Sequence, residues 1–182
     1  MDKKLREQTQ FELMNLQSEL NMTFIVVTHD QEEAMTLSSR IALMNKGEFI
    51  QIGSPSQIYE TPINRYTADF FGSINFFDGE IISQDQKTKK TIAKLQSCNS
   101  FIYGQSNQQF DTKDAVIIGV RPEKIAINVK KPLDNEVSVI EGKIEGLAYY
   151  GDRNLYRVRT EKHGIILASS QNFERSELIK KD

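Results

Sequence analysis

The pattern of the sequence changes at Gly72, and this change limits the possible folds more than any other feature. Before Gly72, helix-forming stretches alternate with short β-branched runs. After it, the chain contains short β-prone runs separated only by polar stretches; they lie at 76–82, 91–95, 100–103, 115–120, 124–129, 137–149, 155–160 and 164–168. Successive short strands without intervening helices are typical of a small barrel or sandwich. The sequence therefore predicts an α/β part over residues 1–71 and an all-β domain over residues 72–182.

The first part carries local signals for several elements. Residues 2–20 contain no Gly or Pro and place Leu13, Leu16 and Leu20 at helical spacing, which predicts a helix with one apolar face. Residues 23–28 are β-branched and apolar, as in a buried parallel strand. Asp30 and Glu33 have the spacing of a capping box that opens a second helix. Further signals predict a hairpin and two short helices, at 40–44 with 48–52, after Ser54-Pro55, and at 64–71.

Composition narrows the class of protein. The 182 residues are 38% hydrophobic and 26% charged, which is ordinary for a globular protein. No run of about 18 apolar residues and no apolar signal core is present, so we expect a cytoplasmic protein that reaches a membrane only through a partner. The single cysteine, Cys98, excludes an internal disulfide and argues against a cysteine-based zinc site, and no metal site is predicted.

Charge argues against nucleic acid as a partner. Residues 1–71 hold six Lys/Arg against ten Asp/Glu, a net charge of −4, and residues 72–182 hold seventeen against fifteen, a net charge of +2. Neither half has the strong positive charge that nucleic-acid binding usually requires.

His29 is the residue whose position points most directly to chemistry. It lies between the predicted strand at 23–28 and the helix that Asp30 is predicted to cap. In open α/β sheets, phosphates bind at the carboxyl ends of strands beside helix N-termini, where free N–H groups and the helix dipole favour anions. A neutral imidazole there can hydrogen-bond a phosphoryl oxygen or a polarised water. Position alone leaves open a second interpretation, in which His29 only stabilises local structure.

Several motifs in a fixed order resemble the ATP-binding subunits of ABC importers. The segment Val-Thr-His-Asp-Gln-Glu-Glu-Ala-Met at 27–35 resembles the switch segment, or H-loop, and Met-Asp-Lys-Lys-Leu-Arg at 1–6 resembles the D-loop and its helix. Residues 40–47 resemble the strand and turn that follow the switch, and residues 51–59 and 68–72 resemble the segment that closes the ATPase domain. Gly-Val-Arg-Pro-Glu at 119–123 resembles a hallmark of the appended TOBE domain. Residues 69–79, with 149–152, look most like the spermidine/putrescine members of the group.

The resemblance implies a fold and a set of residue roles. It implies an α/β fragment, the C-terminal part of a P-loop ATPase domain, over residues 1–71, and an OB-like TOBE domain over residues 72–182. His29 would be the switch histidine that contacts the γ-phosphate and helps to organise the attacking water. Asp2 would be the D-loop aspartate, which works across a dimer interface. Asp30 is expected to cap its helix, and Arg121-Pro122-Glu123 to shape a turn.

The resemblance also implies cofactors and partners. The intact family uses ATP and Mg, and two ATPase subunits drive transmembrane permease subunits at the inner face of the plasma membrane. The resemblance favours polyamine as cargo, with iron, sugar or other anions as alternatives.

The motifs that bind ATP are absent from this sequence. The single Gly-Lys pair, Gly142-Lys143, is followed by Ile144, so no Gly-x-x-x-x-Gly-Lys-Ser/Thr loop exists. No Gly-Gly pair supplies the family signature, and no Asp-Glu pair supplies the Walker B carboxylates. In the family these motifs precede the D-loop, and further strands usually follow the equivalent of residue 182. We therefore expect this chain alone to bind ATP and Mg weakly, to hydrolyse no ATP and to expose apolar surface in its first 70 residues.

Two alternatives remain open from the sequence. The first is a non-enzymatic OB-like module that binds an oligonucleotide or an oxyanion, with Phe76, Phe77, Tyr149 and Tyr150 as stacking residues. The charge of +2 argues against it, and these aromatics suit a core or an interface better. The second is a decayed or split gene product without an independent role.

Overall fold

The structure is a computed structural model that describes residues 3–97, 100–129 and 137–172. It divides into two compact units, Met1–Gly72 and Ser73–Asp182, called here the N-terminal unit and the β unit. Within the described ranges, no helix combines the length and the apolar character needed to cross a membrane.

The helices of the N-terminal unit form where the sequence predicts them. They are α1 (Lys3–Leu20), α2 (Gln31–Leu37), α3 (Pro55–Glu60) and α4 (Arg65–Phe70). Helices α2, α3 and α4 each begin directly after a capping residue. Ser54 forms a complete capping box, because its hydroxyl accepts the Gln57 N–H and the Gln57 side chain accepts the Ser54 N–H. The side chain of Asn64 caps α4 by accepting the Thr67 N–H. These starts agree with the sequence because each signal lies within four residues of the bond it makes.

The predicted hairpin is confirmed. Strand β1 (Ile41–Asn45) pairs antiparallel with β2 (Glu48–Gly53), and the turn between them carries Lys46 and Gly47, both with positive φ. Inward-facing residues of the hairpin meet α3 and the end of α4 in a small core that contains Ile41, Leu43, Ile58 and Phe71.

The prediction of a buried strand at residues 23–28 was wrong. The segment is irregular, it is hydrogen-bonded to none of the described strands, and Ile25 and Val27 are 90% and 96% exposed. A parallel strand exists only when neighbours satisfy its backbone groups, and the described chain places none beside it. The apolar face predicted for α1 is likewise uncovered, with Leu13, Leu16 and Leu20 exposed. The expected exposure of apolar surface in this unit is confirmed.

The β unit consists of two antiparallel sheets, which confirms the all-β prediction. One sheet has the order β5-β4-β3-β6 and the other the order β7-β8-β9. The strands are β3 (Asn75–Gln84), β4 (Lys90–Leu95), β5 (Phe101–Gln105), β6 (Ala115–Val120), β7 (Lys143–Tyr149), β8 (Arg153–Thr160) and β9 (Gly164–Gln171).

Two strand predictions in the β unit need correction. Residues 124–129 form no strand, because a 3₁₀ turn at Pro122–Lys124 ends β6 and the chain then runs unpaired. Within the predicted strand at 137–149, only residues 143–149 pair. Ile125 and Ile140, which carried the β pattern in these segments, pack against the core without joining a ladder. The alternation of apolar residues therefore predicted correctly that these side chains pack against the core, but predicted wrongly that their backbone pairs in a sheet.

The two sheets share one core and one polar clamp. Phe77, Leu95 and Ile166 form the buried cluster, so strands of both sheets contribute. The buried side chain of Asn75 on β3 joins the sheets directly. Its Nδ2 donates to the carbonyl oxygens of Val120 at 3.1 Å and Leu167 at 2.8 Å, and its Oδ1 accepts the Leu167 N–H at 2.8 Å. Asn75 thus pairs, as another strand would, with the edge of β9 that the described strands leave unpaired.

Replacing Asn75 should destabilise the β unit strongly. Asn75→Ala removes three hydrogen bonds and leaves backbone groups of Leu167 and Val120 without these partners, so we expect a loss of about 3 kcal/mol in the free energy of unfolding. Urea unfolding followed by far-ultraviolet circular dichroism measures it. Asn107→Ala, at an exposed loop position, is the control and should change stability by less than about 0.5 kcal/mol. Equal free energies of unfolding for the two variants would contradict the stabilising role of the Asn75 hydrogen bonds.

Candidate functional site

The turn that carries His29 is held by side-chain hydrogen bonds on both sides of this residue. Asp30 caps α2, as predicted, because its Oδ1 accepts the N–H groups of Glu32 at 2.9 Å and Glu33 at 3.2 Å. The Asp30 N–H donates to the hydroxyl of Thr28 at 2.9 Å. That hydroxyl in turn donates to a carboxylate oxygen of Glu33 at 2.8 Å. The residues before and after His29 are therefore both tied to the first turn of α2.

This arrangement corrects the predicted capping box. In a capping box, the Glu33 carboxylate would accept the Asp30 N–H directly. Here the Thr28 hydroxyl stands between the two groups, accepting from one and donating to the other. A hydroxyl can do both at once, so Thr28 relays the contact and draws the end of the 23–28 segment into the cap.

The second oxygen of Asp30 binds a residue that sequence reasoning missed. Nη1 of Arg6, on α1, lies 2.6 Å from Asp30 Oδ2, and the two side chains are 35% and 28% exposed. Arg6 is 24 positions from Asp30, and no local pattern marks a partner at that distance. The carboxylate thus holds the first turn of α2 with one oxygen and α1 with the other.

The electrostatics of this cap follow from its donors. The pKa of Asp30 is lowered, because the Glu33 N–H stabilises the carboxylate most strongly. Desolvation, the second-largest effect, opposes this, but the Glu32 N–H and the electrostatic effects of Arg6 and His29 add to the lowering. A depressed carboxylate pKa means that the ionised form is preferred in the folded state. Its stabilising contribution is present above the ordinary pKa and is lost as pH falls through the depressed value.

His29 itself is exposed at the end of the turn. Within the described residues its ring makes no hydrogen bond. It lies at the rim of a cleft of about 830 Å³, lined by the 23–28 segment, part of α1 and the outer face of the hairpin, where Ala42, Met44 and Phe49 lie. The cleft is mainly apolar, and the described residues contain no cluster of three His, Cys, Asp or Glu that could hold a metal. The site therefore presents an exposed imidazole, on a backbone held from both sides, beside an apolar surface.

The other residues singled out from the sequence do not lie at the His29 turn. Asp2 and Cys98 lie outside the described residues. Arg121 is buried and donates to the Ser73 carbonyl oxygen at 3.4 Å, and Pro122 opens the 3₁₀ turn that follows β6. The prediction that Arg121-Pro122-Glu123 shapes a turn is confirmed.

The predicted stacking aromatics do not share one surface role. Phe77 is buried in the core and packs edge-on against His163, so it is unavailable to a base. Phe76 is half-buried, whereas Tyr149 and Tyr150 are exposed at the end of β7, where the Arg153 guanidinium lies 5.0 Å above the Tyr150 ring. The interpretation of all four as a stacking platform is therefore wrong for Phe77.

The second histidine, His163, is held by hydrogen bonds within the β unit. Its Nδ1 lies 2.9 Å from the Ser97 hydroxyl, and its backbone N–H donates to Thr160 Oγ1 at 3.0 Å. Burial, and secondarily the charge of Lys162, lower the pKa of His163, which favours the neutral ring. Its contacts stabilise the turn between β8 and β9.

Comparison with known proteins shows what this sequence is similar to. Residues 118–180 match the TOBE domain family. Nearly the whole chain is homologous to ATP-binding proteins of polyamine import, which confirms the resemblance found in the motifs.

Particular relatives come from several bacteria. The putrescine transport ATP-binding protein PotG of Escherichia coli K12 is 37% identical over 96% of this chain and 46% of its own length. The spermidine/putrescine import ATP-binding proteins PotA of Thermobifida fusca and Trichodesmium erythraeum are 39% and 36% identical, over 94% and 97% of this chain and 44% and 47% of their own lengths. The chain thus spans a little under half the length of the curated relatives it matches.

The cap should weaken only in strong acid. Because the pKa of Asp30 is lowered from its ordinary value of 3.8, the Glu32 and Glu33 amide resonances should shift with a midpoint below that pH. Nuclear magnetic resonance titration measures this shift. In Asp30→Asn, which keeps a capping oxygen but cannot ionise, the low-pH transition should vanish. A midpoint at or above 3.8 would contradict the described hydrogen bonds.

Proposed function

We propose that this chain is the C-terminal portion of the ATP-binding subunit of an ABC importer for polyamines such as spermidine and putrescine. Residues 1–71 would be the end of the ATPase domain, with a P-loop α/β fold completed by other residues, and residues 72–182 an OB-like TOBE regulatory domain. The observation that carries the proposal is the similarity to polyamine-import ATP-binding proteins over 94–97% of the chain, which includes both units.

The geometry around His29 supports its assignment as the switch histidine. Its ring is exposed, while Thr28 and Asp30 on either side are held by hydrogen bonds to the first turn of α2. A fixed backbone with a free imidazole suits a residue that must meet the γ-phosphate and the attacking water in a defined place.

The chain's own residues would not by themselves form a site for ATP and Mg. The phosphate loop and the Asp-Glu pair are missing from the sequence, and the described residues hold no metal-ligand cluster. Nucleotide and metal would therefore be bound by the rest of the subunit. His29 would add its contact to the terminal phosphate only after that part is present.

The exposed apolar surface of the N-terminal unit supports the same proposal. Ile25 and Val27 are almost fully exposed, and Met44 and Phe49 lie uncovered on the hairpin face of the same cleft. An uncovered surface of this kind marks a place where other polypeptide packs. We propose that the remainder of the ATPase domain covers it.

The proposed partners follow from the same class. Two ATP-binding subunits would close on each other, with Asp2 at their interface, and would move transmembrane permease subunits at the inner face of the plasma membrane. The polyamine cargo is proposed from the names of the relatives. The chain would reach the membrane only through the permease.

The test compares the chain alone with a completed subunit. Purified chain should release no phosphate from ATP above the buffer rate. The chain joined to the complementary half of the Escherichia coli PotG protein should hydrolyse ATP, and His29→Ala should lower its kcat by about 10²-fold, the effect typical of losing one transition-state contact. A malachite-green phosphate assay measures both.

The matched control is Gln31→Ala, an exposed position two residues further on, which should leave kcat within about twofold of the parent. Two results would overturn the proposal. One is His29-dependent ATP turnover by the chain alone, and the other is full activity of the joined protein after His29→Ala.

A further inference from the structure

Arg6 connects two parts of the N-terminal unit that are otherwise distant in the sequence. We propose that Arg6 is a positioning residue, which by pairing with Asp30 sets the place of the His29 backbone against helix α1. This role rests on the proposed function and deepens it, because it assigns a device that orients the switch histidine.

The first step is the double use of the Asp30 carboxylate. Oδ1 accepts two N–H groups at the start of α2, and Oδ2 accepts from Arg6 Nη1 at 2.6 Å. The short distance between ionised partners is that of a charge-assisted hydrogen bond. A movement of the first turn of α2 relative to α1 would therefore break this contact.

The second step is that the position of Asp30 also fixes the position of His29, the residue before it. Thr28 and Asp30 enclose His29, and the Asp30 N–H donates to the Thr28 hydroxyl at 2.9 Å while the same hydroxyl donates to Glu33. The His29 backbone is thus part of a closed ring of bonded residues, whereas its side chain is exposed. A displacement of Asp30 would therefore also displace the backbone of His29 and the imidazole that it carries.

The third step concerns the other contacts of α2. Ala34 and Met35 pack against the small core of the hairpin, whereas the Arg6–Asp30 hydrogen bond joins the first turn of α2 to α1. Residues 23–28 pair with none of the described strands, so no ladder fixes the chain that leads into His29. Helix α2 has seven residues, none of which is fully buried. A helix this short depends on contacts outside itself for its orientation. Arg6, only 35% exposed on the much longer α1, supplies such a contact.

The fourth step separates this ion pair from an ordinary surface pair. Asp152 and Arg153, adjacent in the sequence, lie 3.6 Å apart with side chains 74% and 53% exposed. They join no distant elements, and exposed pairs of this kind contribute little. Arg6 and Asp30 are closer, less exposed and 24 residues apart. The matched pair therefore provides an internal control.

Capping and positioning can be separated by substitution. Asn serves as well as Asp at a helix N-cap, so Asp30→Asn keeps the bonds to α2 and loses the charge that Arg6 contacts. Arg6→Gln loses the charge from the other side and leaves the cap untouched. Arg6→Lys keeps the charge without the planar guanidinium, and should restore the contact in part.

The first measurement uses the 182-residue chain and nuclear magnetic resonance. Arg6→Gln and Asp30→Asn should each shift the His29 backbone and ring resonances in the same direction, and Arg6→Lys should return them part of the way. The Glu32 and Glu33 amides should keep their slow exchange with solvent in Arg6→Gln, because the cap persists. Arg153→Gln should change none of these signals. Unchanged His29 resonances in folded Arg6→Gln and Asp30→Asn would overturn the proposal.

The second measurement uses the joined protein of the preceding section. Arg6→Gln should lower kcat about tenfold with the KM for ATP unchanged, because a misplaced group loses transition-state contact without losing ground-state binding. Arg6→Lys should recover part of kcat, and Arg153→Gln should match the parent. An unchanged kcat, or a raised KM with kcat unchanged, would overturn the positioning role.

The two measurements distinguish failure of this inference from failure of the proposed function. If the unsubstituted joined protein hydrolyses no ATP, the proposed function fails, and the resonances of the chain alone still decide whether Arg6 positions His29. If the joined protein is active and His29-dependent while Arg6→Gln behaves as the parent, only the inference fails.

Discussion

The side-chain amide of Asn75 joins the two sheets of the β unit, because it bonds to an edge of β9 that none of the described strands covers. Its three hydrogen bonds join β3 and β6 to β9, so the two sheets meet through backbone-like pairing as well as through the core of Phe77, Leu95 and Ile166. An amide side chain can do this because it carries the same donor and acceptor as a peptide group. The turn built by Arg121 and Pro122 follows β6 directly, where one of the Asn75 bonds ends.

The N-terminal unit differs from the β unit in that its most apolar stretch is not packed into a sheet. Its small core holds the hairpin, α3 and α4 together, while the most apolar stretch of the unit, at 22–27, lies unpaired and largely exposed. Exposed β-branched residues without a neighbouring strand have no means of satisfying their backbone as a sheet. The one ordered feature at the end of this stretch is the cap of α2, where Thr28, Asp30 and Arg6 meet around His29.

The residues of this site differ in how far the sequence predicts them. Asp30 as a cap, the hairpin around Lys46 and Gly47, and the Ser54 capping box were predictable because each depends on residues within a few positions. His29 was found from its place between two local signals and from the family resemblance of 27–35. The Arg6 contact was not found, because a partner 24 residues away leaves no local pattern in the sequence. The relay through Thr28 was not found either, because the sequence does not show whether the Asp30 N–H donates to the Thr28 hydroxyl or to the Glu33 carboxylate.

By itself, the sequence determined the division near Gly72, the helix starts, the all-β character of the second part and the kinship with polyamine-import ATP-binding proteins. These depend on local propensity, on periodicity and on ordered motifs, which are properties of consecutive residues. Only the tertiary structure decided that 23–28 and 124–129 are not strands, that Asn75 closes the edge of β9 and that Arg6 pairs with Asp30. A strand, a clamp and an ion pair each require a partner brought from elsewhere in the chain, and the presence of that partner is a fact of the fold.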